Sequence, residues 1–199
     1  GTGKTAAFGL PIVQQIDTSN TAVQALILSP TRELVQQIKK QLFKYTKYYD
    51  HKVFVEAVYG GEKIDRQIHN LERTTHVIVA TPGRLIDLIE RGNINLKEIK
   101  TLVLDEAEEM LSMGFKQDLN RILKYTSGQR KTWLFSATMP EEIQRIIKTY
   151  MDSNAPRVEI DRNSTVNSNI SHQFVKTTIK EKAKTIIRFL EFRQEARGI

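Results

Sequence analysis

Two short runs, His76–Ala80 (HVIVA) and Thr101–Leu104 (TLVL), constrain the fold more than any other feature of the chain. Both are of strand length and almost uninterruptedly apolar, where a half-exposed strand would alternate. A strand that is apolar on both faces needs cover on both, which is the situation in parallel sheets with helices above and below. Val23–Leu28, Val53–Tyr59, Thr132–Phe135 and Arg157–Ile160 read as further strands. Between them apolar residues recur at helical spacing: Leu34, Ile38 and Leu42; Ile64, Ile68 and Leu71; Ile143, Ile146 and Ile147. The alternation predicts an α/β domain with a mostly parallel sheet, right-handed crossovers and helices on both faces. Ligands of such sheets bind beyond the carboxyl ends of the strands, so functional residues are expected directly after them.

The chain has 199 residues, enough for one domain or for one and the start of a second. After Ile160 the sequence DRNSTVNSNIS is polar and reads as a linker over 161–171. Beyond it HQFVKTT reads as a strand and Glu181–Gln194 as a helix. One strand and one helix make no core, so 172–199 is expected to open a second domain and 1–160 to form the first. No apolar run approaches the roughly 18 residues of a membrane span, and GTGKTAAFGL lacks the features of a secretory signal. A soluble, cytoplasmic protein is the expectation. The absence of Cys removes disulfide scaffolds, thiol nucleophiles and Cys-ligated zinc, and the four His match no metal spacing. The net charge of +7 is spread over both halves and admits two readings, solubility or a polyanionic partner.

The strand ends carry the distinctive residues: SPTREL after the first run, GGE after the second, TPGR after the third, DEAE after the fourth and SAT after the fifth. The chain itself opens on Gly1-Thr2-Gly3-Lys4-Thr5, the last five residues of a phosphate loop. In such a loop backbone N–H groups close around phosphate oxygens, the Lys reaches the β- and γ-phosphates, and the Thr hydroxyl meets Mg²⁺ at a helix N-terminus. A bare helix start is the rival reading of five residues. Asp105-Glu106 ends a buried strand, where one carboxylate can hold Mg²⁺ and its neighbour can orient the attacking water. Acidic residues also simply favour a first helical turn, but GTGKT and DE in this order support each other. A guanine-specific enzyme would need an Asn-Lys-x-Asp, and no Asn-Lys pair occurs. Ser127-Gly128-Gln129-Arg130 reads as a turn rather than a transporter signature.

Taken together, GTGKT, Pro30-Thr31-Arg32-Glu33-Leu34, Gly60-Gly61, Thr81-Pro82-Gly83-Arg84, Leu104-Asp105-Glu106-Ala107-Glu108 and Ser136-Ala137-Thr138 resemble the first RecA-like domain of a DEAD-box ATP-dependent RNA helicase. The resemblance covers residues 1–160. It implies that Gly1, Thr2, Gly3, Lys4 and Thr5 bind ATP, that Thr5 and Asp105 hold Mg²⁺, and that Glu106 activates water. It further implies that Ser136 and Thr138 couple nucleotide state to RNA remodelling by bonding to the carboxylate motif through Glu108. Pro30, Thr31, Arg32, Gly60, Gly61, Thr81, Pro82, Gly83 and Arg84 would line an RNA backbone, a sequence-independent contact. Read without the family, the glycines are turn residues and the two arginines serve equally as structural ion-pair partners. Tyr45, Tyr48 and Tyr49 offer either a base-stacking patch or a partly buried helix end.

Against the family pattern, position 108 is Glu where the motif ends in Asp. The added methylene extends the carboxylate by about 1.5 Å, which puts its pairing with the SAT segment in question. Asp105 and Glu106 are intact, and ATP chemistry is expected to persist in the full-length protein. A noncatalytic, ATP-gated RNA clamp is the alternative function, and DNA translocation a third. The resemblance also implies a strand before GTGKT inside the sheet and a second domain supplying arginine fingers. The 199 residues alone are therefore expected to be inactive and marginally stable, with a gap in the sheet.

Overall fold

A computed structural model describes residues 3–47, 49, 51–126, 128, 130–159 and 174–192. Its centre is a parallel sheet of five strands, β1 (Ala25–Leu28), β2 (Val55–Val58), β3 (Val77–Ala80), β4 (Thr101–Asp105) and β5 (Lys131–Phe135), in the order β2-β3-β1-β4-β5. Leu28 lies beside Ala80 and Leu104, so the strands end nearly level and their following loops share one edge.

The all-apolar strands are central, as their composition requires. Every residue of β1, β3 and β4 is buried, whereas β2 and β5, at the sheet's edges, are mostly half-buried. Alternate residues feed two cores. Leu26, Leu28, Ile78, Leu102 and Leu104 face one layer, and Ile27, Val77, Val79 and Val103 the other. The second layer is capped by α1 (Lys4–Gln15) and α2 (Arg32–Thr46), through Phe8, Ile12, Val35, Ile38 and Leu42. The first is capped by α3 (Ile64–Leu71), α4 (Pro82–Glu90), α5 (Ala107–Ser112), α6 (Lys116–Tyr125) and α7 (Glu141–Tyr150). Each fully covered Leu, Ile or Phe contributes about 1.5–3 kcal/mol, which makes this double burial the main stabilising term.

The fold class is the expected one, with three local corrections. Arg157–Glu159 form no strand, and Val158 is 88% exposed. Residues 174–178 of HQFVKTT form none either, with Phe174 84% exposed. A β-favourable run becomes a strand only beside a partner that takes its N–H and C=O groups, and neither run has one among the described residues. Third, the five strands pair without interruption, so the expected gap inside the sheet is not found. The expected C-terminal helix is present as α8 (Lys182–Phe192), none of whose residues is buried. The chain divides into two units, Gly1–Ala155 and Pro156–Ile199. The expected linker 161–171, together with Ile160, Tyr48, Ser127 and Gln129, lies outside the described residues. No described helix is long and apolar enough to cross a membrane.

Candidate functional site

Gly3 and α1 form one end of the site. Gly3 adopts φ 75°, ψ 2°, a left-handed conformation that glycine reaches without strain, and its carbonyl accepts the N–H groups of Ala6 and Ala7 at 3.0 Å. A Cβ there would meet nothing within 4 Å, so the requirement for glycine is conformational. Lys4 and Thr5 stand on the first turn, which has no acidic residue and no side-chain cap. The helix end is thus left with free N–H donors and its partial positive charge. Gly1 and Thr2 lie outside the described residues.

Asp105 ends β4 and is 5% exposed, and its Oδ1 has no hydrogen-bond partner. Burial pushes its carboxyl up from 3.8 to about 6; the Lys4 ammonium and a hydrogen bond from the Glu106 backbone oppose this, while the charges of Glu106 and Glu108 add to it. Ser29, one step beyond the Leu28–Leu104 pair on the neighbouring strand, also buries an unpartnered Oγ. Orphaned buried oxygens are costly unless a ligand completes them. A hard divalent cation fits this arrangement. Mg²⁺ characteristically uses one or two protein carboxylates and takes its other oxygens from water and phosphate, and no group of three or more His, Cys, Asp or Glu able to hold a metal occurs among the described residues.

Glu106 follows at φ 51°, ψ 49°, the one described residue other than glycine with positive φ. Its carbonyl accepts the first N–H bonds of α5, from Glu109 at 3.0 Å and Met110 at 3.1 Å. A non-glycine residue held there stores about 1–3 kcal/mol, and such strain concentrates where side-chain direction matters. Two residues on, Glu108 reaches the SAT segment. Its Oε2 accepts the Ser136 hydroxyl at 2.8 Å and its Oε1 the Ala137 N–H at 2.7 Å. The longer side chain therefore does not break the pairing, which answers the question its length raised. Ser136 shares its single proton between Glu108 and the Thr138 carbonyl; Thr138 itself is exposed.

Beyond the other strand ends the residues bond mainly to one another. Thr31 caps α2, accepting the Leu34 N–H at 3.3 Å, with Pro30 buried before it. The Arg32 guanidinium lies over the Tyr59 ring, 5.0 Å from its centroid, a cation–π contact. Gly60 and Gly61 follow β2 in a turn, Gly61 at φ 81°. Thr81 donates its N–H to the Val58 carbonyl at 2.9 Å, and Pro82 starts α4 at a position where no N–H is needed. Arg84 donates from both terminal nitrogens to the Glu62 carbonyl at 3.2 Å. Neither arginine's contact is with a carboxylate: one stacks and the other holds a carbonyl. Gly83 is exposed on the first turn of α4.

Three side chains escaped the sequence reading. Gln67, 2% exposed, accepts the Tyr59 N–H at 3.2 Å and donates to the Tyr59 carbonyl at 2.9 Å. Gln36 donates to the Tyr59 hydroxyl at 2.9 Å, so every polar group of Tyr59 is engaged. The available signal was Gln67 itself, a polar residue inside the apolar stripe Ile64, Ile68, Leu71. Of the tyrosine cluster, Tyr45 is half-buried beside Gly9, and Tyr49 is exposed with its ring edge-on to His51.

A family model described as DEAD/DEAH box helicase matches residues 1–146. The DEAD-box ATP-dependent RNA helicase CshA of Geobacillus kaustophilus is 45% identical over 192 residues, 96% of this chain and 40% of the relative. The ATP-dependent RNA helicase CshA of Listeria monocytogenes is 47% identical over 191 residues, 96% of this chain and 36% of the relative. The chain thus spans about two fifths of the length of the curated relatives it matches. Among solved structures, a DEAD box protein from the hyperthermophile Methanococcus jannaschii superposes with a TM-score of 0.76 at 36% identity, over 96% of this chain and 50% of that one. The yeast DEAD-box splicing factor Prp28 superposes with a TM-score of 0.72 at 37% identity, over 76% of this chain and 38% of that one.

Proposed function

Because this chain belongs to the DEAD/DEAH box helicase family, we propose that the protein is an ATP-dependent RNA helicase, coupling nucleotide hydrolysis to local strand separation or to remodelling of RNA–protein complexes. The observation that carries the reading is the meeting at one sheet edge of an uncapped helix start bearing Lys4 with the buried Asp105 carboxylate, whose Oδ1 has no hydrogen-bond partner. In this reading Gly1, Thr2, Gly3, Lys4 and Thr5 bind the ATP phosphates, donating backbone N–H groups and the Lys4 ammonium. Thr5 and Asp105 hold Mg²⁺, which when bound neutralises charge on the phosphate oxygens. Glu106, its backbone fixed by the left-handed turn, orients the hydrolytic water from its carboxylate.

Glu108 ties this carboxylate segment to Ser136 and Ala137, and through Ser136 to the backbone of Thr138. A change in the nucleotide site therefore reaches the segment after β5. Pro30, Thr31, Arg32, Gly60, Gly61, Thr81, Pro82, Gly83 and Arg84 contact the sugar-phosphate backbone of RNA. Backbone N–H groups, helix starts and guanidinium groups read phosphate and not base, so binding is sequence-independent. The cytoplasm is the proposed compartment.

The test is ATP hydrolysis by the full-length protein with single-stranded RNA, single-stranded DNA or neither, beside strand separation of a short RNA duplex. RNA-specific stimulation with separation is expected. Stimulation by DNA alone would overturn the RNA assignment, and RNA binding without hydrolysis would replace the helicase with an ATP-gated clamp.

A further inference from the structure

We propose that Gln67, which lies in none of the strand-end motifs, is a positioning residue that presets the Gly60-Gly61 loop for RNA, an inference that rests on the RNA-binding reading above. A buried position on the apolar stripe of an eight-residue helix would be filled at least cost by Leu. Gln67 instead spends both ends of its carboxamide on the backbone of one residue, Tyr59. Tyr59 immediately precedes the two glycines, so its peptide groups set where the loop departs from β2. The same residue is held at its hydroxyl by Gln36 and supports the Arg32 guanidinium on its ring.

On the far side of the glycines Arg84 holds the Glu62 carbonyl. The loop is therefore clamped at both ends, at Tyr59 and Glu62, around two residues of the greatest backbone freedom. Consecutive glycines lose more conformational entropy on ordering than any other pair. Clamping them in the free protein removes that cost from RNA binding. Gln67 touches no ligand in this account; it acts through Tyr59, and through Tyr59 also fixes Arg32.

The experiment uses the full-length protein in RNA-stimulated ATP hydrolysis with oligouridine as the probe. Gln67→Met keeps the side-chain length and removes both bonds; Gln67→Glu restores the acceptor for the Tyr59 N–H and, as the protonated acid favoured by burial, a donor to the Tyr59 carbonyl; Gln36→Ala, at an exposed position, loosens Tyr59 without touching the core. The expected result is a KM for RNA raised roughly tenfold in Gln67→Met, partly recovered in Gln67→Glu and raised to a smaller extent in Gln36→Ala. The KM for ATP and kcat at saturating RNA stay at wild-type values. A folded Gln67→Met with an unchanged KM for RNA, or with kcat lowered instead, would overturn the assignment while leaving the RNA reading intact. If Gln67→Met does not fold, Gln36→Ala decides in the same way. A wild-type protein that RNA does not stimulate overturns the RNA reading and this inference together.

Discussion

The carboxyl edge of the sheet is finished in two different ways on its two sides. Beyond β1, β2 and β3 the loops bond to one another: Thr31 caps α2, Gln67 and Gln36 satisfy Tyr59, Arg32 stacks on its ring, and Arg84 closes on Glu62. Beyond β4, at the start of α1 and at Ser29, the residue directly after β1 and beside the end of β4, the structure is left incomplete. Asp105 and Ser29 bury unpartnered oxygens, the Asp105 carboxyl is pushed up to about 6, Glu106 is held in a left-handed turn, and the start of α1 is uncapped. The contrast fits the two roles proposed for these sides, an RNA backbone on one and a nucleotide with its cation on the other. A surface that reads an extended backbone benefits from rigidity, since ordering done in advance adds to affinity. A site for a doubly charged cation and phosphates gains from fixed, poorly solvated charges that only the ligand satisfies.

If the sides are separate in this way, substitutions should divide their effects. Lys4→Ala and Glu106→Gln are expected to lower RNA-stimulated ATP turnover of the full-length protein by about 10²–10³-fold, the typical loss of one preorganised electrostatic group. RNA affinity without nucleotide should be unchanged in both. Arg84→Ala should show the reverse pattern, roughly tenfold weaker RNA binding with unchanged affinity for a fluorescent ADP analogue. Coupled losses in nucleotide-free titrations would erase the distinction.

The incompleteness of the proposed nucleotide side should also be visible as stability. A carboxyl raised above its unfolded 3.8 binds a proton more tightly in the folded chain, so its contribution is fully present below pH 3.8 and is lost as the pH rises through about 6. At pH 7.5 the charged Asp105 is a net cost without its ligand. Asp105→Asn, measured by urea unfolding in EDTA without nucleotide, is expected to be more stable by about 2 kcal/mol at pH 7.5, with the gain fading toward pH 4. An equal gain at both pH values would assign it to packing.

The smallest effect comes from the opposite, amino-terminal edge. His76 is 1% exposed, its Nδ1 accepts the Phe54 N–H at 3.1 Å, and its Nε2 has no partner. Burial lowers its pKa, with the Asp17 charge opposing. A depressed histidine contributes stability above its unfolded 6.5 and loses it as the pH falls through the folded value, the reverse of Asp105. His76→Gln, which has an amide acceptor and does not titrate, should reduce the loss of stability between pH 7.5 and 5. An unaltered slope would remove His76 from the account.

The order of strands and helices was legible because burial leaves its period in the sequence: VIVA and TLVL are buried on both faces, and Ile38, Leu42, Ile143 and Ile146 lie on the buried stripes of their helices. So was the family, from residues gathered at strand ends. Runs such as Arg157–Glu159 misled because β propensity is local and pairing is not. Gln67, Gln36 and Tyr59 were invisible as a set for the same reason, since their bonds join α2, α3 and the end of β2 across 23 and 8 residues of chain.

The sequence by itself determined the α/β class, the family and which residue types stand after each strand. Short-range periodicity and adjacent motif residues suffice for that. Only the tertiary structure decided that Glu108 still reaches Ser136, that Arg32 and Arg84 hold a ring and a carbonyl, and that Asp105 stands buried with one oxygen unpartnered. Those outcomes depend on which side chains and backbone groups the packed sheet brings within hydrogen-bond distance, and separation along the chain carries no record of it.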